Sequence, residues 1–120
     1  MSQEVVGKTG PELQNEFVGL FYENLGPALE DVLDGEWYVS KYPGSVTIAG
    51  SLNAVDVFAT WFYEKGEVEI TTKRSFKTLV VTTTHRTVAK SLTDVVSAVI
   101  KAIVSPNENV DAISIEAFVE

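Results

Sequence analysis

"AVDVFATWFYEKGEVEITT", residues 54–72, decides the fold. In its first half, Val55, Val57, Ala59, Trp61 and Tyr63 fall at odd positions, with Phe58 and Phe62 at even ones. Successive side chains of a strand point to opposite sides of a sheet. The run 54–64 is therefore a strand with one continuous apolar face and a second face that is partly aromatic. Lys65-Gly66 is a hairpin turn into "EVEITT" (67–72), where alternation resumes.

Working outward, the same grammar repeats. "EWYVSKY" (36–42) and "VTIAG" (46–50) flank a Pro-Gly-Ser turn, and "SLN" leads from the second of these into the aromatic strand. On the other side, "KRS" (73–75) is expected to turn the chain into "FKTLVVTTTHR" (76–86). Five short, β-branched, turn-bounded runs in succession predict an antiparallel meander.

Helical periodicity brackets the meander. Thr9-Gly10-Pro11-Glu12 is a capping-box start with proline in the first turn. At about 100° per residue, Leu13, Phe17, Leu20, Phe21, Leu25, Ala28 and Val32 share a broad sector. Glu12, Glu16, Glu23, Glu30 and Asp34 form a narrow stripe opposite. An amphipathic helix over 11–34 follows, with a kink or short break at Gly26-Pro27, because Pro27 cannot donate to the Glu23 carbonyl. A second helix is expected over 88–104, with Val88, Leu92, Val95, Val96, Val99 and Ile103 on one face and Thr87 as its N-cap. "AISIEAFVE" (112–120) closes the chain as a strand.

The expected architecture is α+β: an antiparallel four- to six-stranded meander sheet packed by two amphipathic helices, in the order α-β-β-β-β-β-α-β. It forms one domain over residues 1–120, with 1–9 as a flexible N-terminus. That order resembles small phage tail-completion proteins that form rings. The likeness runs over the whole chain and rests on element order, without a shared motif. It implies an assembly role.

Charge is unevenly laid out. Residues 1–72 hold twelve carboxylates against three lysines, a balance of −9; residues 73–104 hold six cations against Asp94, a balance of +5; residues 105–120 add −4, giving the net −8. A basic island thus sits in an acidic chain. Its expected contact residues are Lys73, Arg74, Lys77 and Arg86. A phosphate-binding face needs several such charges together, but the hairpin tip and the far strand end are about ten residues apart at roughly 3.3 Å each. Nucleic acid is therefore not an expected partner.

The equipment for catalysis is sparse. There is no cysteine and a single histidine, His85, which excludes the ordinary zinc and non-haem iron ligand sets. No phosphate-binding loop, dinucleotide fingerprint or nucleophile elbow is present. His85 is expected where a strand hands over to a helix, and an anion could dock at that helix start; the structural reading is preferred. No enzyme, cofactor or metal is expected. The N-terminus lacks an apolar signal-peptide core, and Val88–Val104 is too short and too charged to span a bilayer. A soluble cytoplasmic or virion protein is expected, without a membrane partner.

What remains is association. The leading expectation is a non-enzymatic protein–protein interaction or assembly protein that self-associates into a homo-oligomer. It would use the acidic helix face, the basic hairpin, or the aromatic strand residues Phe58, Trp61, Phe62 and Tyr63. If the helices cover only one face of the sheet, one of the two aromatic sets is left exposed. Alternatives are an acidic adaptor, chaperone or DNA-mimicking inhibitor for a basic partner, and a carrier of a small apolar ligand.

Overall fold

The structure, a computed structural model, describes residues 3–24, 36–52 and 54–117. It is an α+β fold in which a six-stranded antiparallel meander carries helices on one face. The strands β1 (Glu36–Tyr42), β2 (Ser45–Leu52), β3 (Val55–Phe62), β4 (Glu67–Ser75), β5 (Leu79–Val88) and β6 (Ala112–Ala117) lie in spatial order 1-2-3-4-5-6. A one-turn helix α1 (Gln3–Val6) and α2 (Gly10–Glu23) precede the meander, and α3 (Leu92–Val104) joins β5 to β6. The expected kink at Gly26-Pro27, the stripe residues Glu30 and Asp34, and the rest of 25–35 lie outside the described residues, as do 118–120.

The α2 start is as the sequence dictates. The Thr9 hydroxyl accepts from Glu12 N and the Glu12 carboxylate accepts from Thr9 N, so two orphan donors are satisfied reciprocally. The buried side of α2, Leu13, Phe17 and Phe21, rests on β1 through Trp37, whose ring centroid lies 5.4 Å from that of Phe17 and 4.7 Å from that of Phe21. The indole crosses Gly50 on β2. A Cβ there would collide with the Trp37 ring and the Glu36 carbonyl, so glycine at 50 is what lets the aromatic cluster sit against the sheet.

Residues 1–9, expected to be flexible, include an anchor the sequence did not advertise. Val5 is fully buried. The Lys41 ammonium, on β1, donates to the carbonyls of Val5, Val6 and Lys8 at 2.7–2.9 Å, satisfying the C-terminal end of α1. Gly10 then lies against the Val39 carbonyl, to which a Cβ would come within 3.5 Å. The turn from α1 to α2 is thus laid along β1.

Boundaries differ most after the aromatic hairpin. β4 runs to Ser75 rather than stopping at 72, and the turn falls at 76–78. Lys73 and Arg74, read as turn residues, are strand residues on opposite faces. β5 extends to Val88, and α3 begins at Leu92 with Ser91, not Thr87, as its N-cap. The Ser91 hydroxyl accepts from Asp94 N while the Asp94 carboxylate accepts from Lys90 N. Val88 and Ala89 fit either period, and the Ser-Leu-Thr-Asp cap settles the competition three residues later.

α2 packs on β1, while α3 packs on β3, β4 and part of β5 and touches α2. The core lies between these helices and the inner face: Val39, Val46, Ile48, Ala59, Trp61, Val68 and Ile70 meet Leu92, Val95, Val96 and Val99. Trp61 is fully buried, with its indole N–H donating to the Ala89 carbonyl at 2.8 Å. No described helix is long and apolar enough to cross a membrane.

Candidate interaction surface

Cross-strand pairing sorts the aromatic residues without ambiguity. Val46, Trp61 and Val68 form one inner row, and Ala49, Phe58 and Thr71 one outer row. The helices therefore cover the Trp61 face and leave Phe58 and Phe62 on the outer face. Phe58 is 55 % exposed. Tyr38 and Tyr42 from β1 and Val88 from β5 are exposed on the same face. Tyr63, just past β3, is half-buried, and its hydroxyl accepts from Gly44 N at 3.0 Å in the neighbouring turn.

No described element lies over this outer face. It is contoured rather than flat. A depression of about 620 Å³ is lined by Tyr38, Ala49, Ser51, Asp56, Phe58 and Lys73 among others. A second, of about 550 Å³, lies between Phe62, Lys65, Glu69, Arg86 and Val88. Polar groups rim these hollows. The Tyr38 hydroxyl donates to Glu36 at 2.9 Å, and that hydrogen bond, with the nearby carboxylate charge, raises the phenol pKa above its ordinary value. Asp56 stands directly across from Lys73. The outer face thus has an aromatic, concave centre rimmed by charged and polar groups.

The basic residues do not gather. Lys73 is exposed on the outer face and Lys77 at the hairpin tip. Arg74 points to the inner face, where its guanidinium donates to Thr72 Oγ1 at 3.1 Å and to the Ile103 carbonyl at 2.8 Å. Burial lowers its pKa, and its position closes the C-terminal end of α3. Arg86 lies on the outer face far from the tip, with Nε donating to Glu69 at 2.7 Å; that pairing raises its pKa.

The acidic helix face is also partly engaged. Glu12 serves the cap, and Glu16 pairs with Lys8. Glu23 is exposed.

His85 sits inside β5, six residues before the N-cap of α3, rather than at the junction. It is buried beside α3 and the loop after it, with Nε2 3.1 Å from the Pro106 carbonyl. With Nε2 as the donor, the imidazole pins that loop, and Nδ1 remains buried with no partner. The α3 start holds its own carboxylate, Asp94, where an anion would dock. Among the described residues no group of three His, Asp or Glu side chains is placed to hold a metal ion.

Sequence reading missed Tyr38, Tyr42 and Val88 as surface residues. The signal for the tyrosines was present: in "EWYVSKY" they alternate with Trp37 and Val39, so once Trp37 is inside, both tyrosines are outside. No family model matches the chain, and no curated protein or solved structure matches it either.

Proposed function

We propose that this chain is a non-enzymatic assembly protein that self-associates through the outer face of its sheet. The observation that carries the reading is the row of exposed aromatic residues, Tyr38, Phe58, Phe62 and Tyr42, on a face over which no described element lies. A monomer in water gains nothing from aromatic side chains in a concave, polar-rimmed centre, whereas a partner surface desolvates them. The partner is a second copy, in keeping with the homo-oligomer expected of a small assembly component of the phage-ring type.

Charge complementarity between acidic helix and basic hairpin is the weaker route to association. Glu16, Arg74 and Arg86 already have intramolecular partners. The acidic-adaptor reading loses support at Glu12, which serves the α2 cap, and at Glu16, which pairs with Lys8. A small-ligand carrier needs an enclosed cavity, and the outer depressions are open hollows bordered by charged groups.

Paired variants test the reading. Phe58→Ser with Phe62→Ser is expected to weaken self-association at least about tenfold, as loss of a central aromatic anchor does. Glu23→Lys should leave it unchanged. The reverse outcome would move the contact to the acidic helix. Sedimentation velocity over a concentration series reads both.

A further inference from the structure

The two edges of the sheet are treated differently, and the difference bears on a surface separate from the outer face. β1 is overlaid by the α1–α2 turn, with Gly10 against the Val39 carbonyl and Lys41 spent on α1. Among the described residues β6 has β5 as its only strand neighbour, and all six of its residues are exposed. Every second residue of such a strand presents an unpaired N–H and C=O outward. Chains ordinarily blunt an open edge with lysine, proline or a bulge. β6, "AISIEA", has none of these along its length, and its one charge is Glu116. Its inner-face residues Ile113 and Ile115, 50 % and 65 % exposed, continue the rows of Thr83 and Val81 past the reach of α3.

We infer that β6 is a pairing edge whose occupant is β6 of a second copy, antiparallel and centred on Ser114. The strand's own pattern supplies the argument. A twofold axis normal to the sheet keeps inner residues opposite inner residues, so the centre must fall on a residue and not between two. Centred on Ser114, Ile113 stands opposite Ile115 of the second copy, and Ile115 opposite its Ile113. Ser114 meets itself, and Ala112 meets Glu116. "A-I-S-I-E" thus reads alike in both directions except for one outward position, where alanine accepts the carboxylate without a like charge opposite. Two β-branched cross-strand pairs form on one face. A centre on Glu116 would set carboxylate against carboxylate, and a centre on Ile113 would leave fewer pairs.

Six residues span about 20 Å, and one such strand pair covers less than the roughly 1,600 Å² typical of a stable interface. The edge therefore gives a concentration-dependent contact that adds to the outer-face association and is separable from it.

Cysteine cross-linking reads this register directly, because the chain has no cysteine of its own. Residues meeting on the axis of an antiparallel pair lie within disulfide reach. Under mild oxidation of the full chain, Ser114→Cys is expected to give at least about ten times more disulfide-linked dimer than Ser97→Cys, an exposed position on α3. Adding Ile115→Lys to Ser114→Cys should cut that yield about tenfold, with the circular dichroism of the fold retained because β6 side chains lie outside the core. Equal yields at 114 and 97, or a yield indifferent to Ile115→Lys, would overturn the pairing. If association by sedimentation persists while Ser114→Cys fails to cross-link, edge pairing falls and the outer-face reading stands. If Phe58→Ser with Phe62→Ser abolishes association at working concentrations but Ser114→Cys still cross-links, the edge is upheld independently.

Discussion

β1 and β6 carry nearly the same sequence grammar and meet opposite fates. Each alternates apolar and polar residues, and each lies at an end of the same sheet. In β1 the inner residues Trp37 and Val39 are buried under α2. In β6 the corresponding Ile113 and Ile115 stay exposed, because α3 packs on β3, β4 and part of β5 and no described helix reaches past β5. Alternation therefore specifies which face a residue takes and not whether anything covers that face. Burial is decided by the helices, whose reach is a property of the whole fold.

The sharpest way to break this comparison is a matched pair of charges. Val39→Asp would bury an unpaired carboxylate and is expected to cost about 3 kcal/mol or more. Ile113→Asp, on the same face at the other edge, should stay within about 0.5 kcal/mol in the monomer. Urea denaturation of both variants checks the contrast, and equal losses would mean that β6 is covered.

A cavity-free test of the covered side comes next. Gly50→Ala forces a methyl into the Trp37 ring and should destabilise by about 1–3 kcal/mol, seen as a lower urea midpoint with unchanged slope. Smaller again, Lys41→Met removes three charge-assisted hydrogen bonds to the end of α1 and should cost about 1.5 kcal/mol. Hydrogen exchange at residues 3–8 is then expected to accelerate before the rest of the sheet does. At the small end, Arg86→Ala breaks only an exposed pair with Glu69 and should leave thermal stability unchanged at physiological salt.

Much of this was legible from residues alone. The meander, both main helices and the Thr9–Glu12 cap follow from period and turn chemistry. Which side of β3 faces inward was left open by alternation alone, and the helices decide it by covering Trp61 and leaving Phe58 exposed. Other features were hidden for identifiable reasons. Lys73 and Arg74 imitate a turn, yet Arg74 is a strand residue whose guanidinium reaches the Ile103 carbonyl, a partner 29 positions away. Lys41 looks like an ordinary surface lysine until α1 is docked beside it. That Ile113 and Ile115 stay exposed was not legible, because pattern carries no information on cover. The exposed aromatic face was half legible: Phe58 and Phe62 were marked, while Tyr38 and Tyr42 emerged only when pairing put β1 in register with β2.

The central claim is that the outer aromatic face is a self-association surface, and solution mass tests it most directly. Light scattering across a hundredfold dilution, at low and high salt, is expected to show a discrete oligomer that dissociates on dilution. High salt should preserve or strengthen it, because copies with a net charge of −8 repel one another until screened while aromatic burial persists. A monomer at every concentration and salt would contradict the account, and an oligomer that falls apart in salt would transfer the contact to the charged groups.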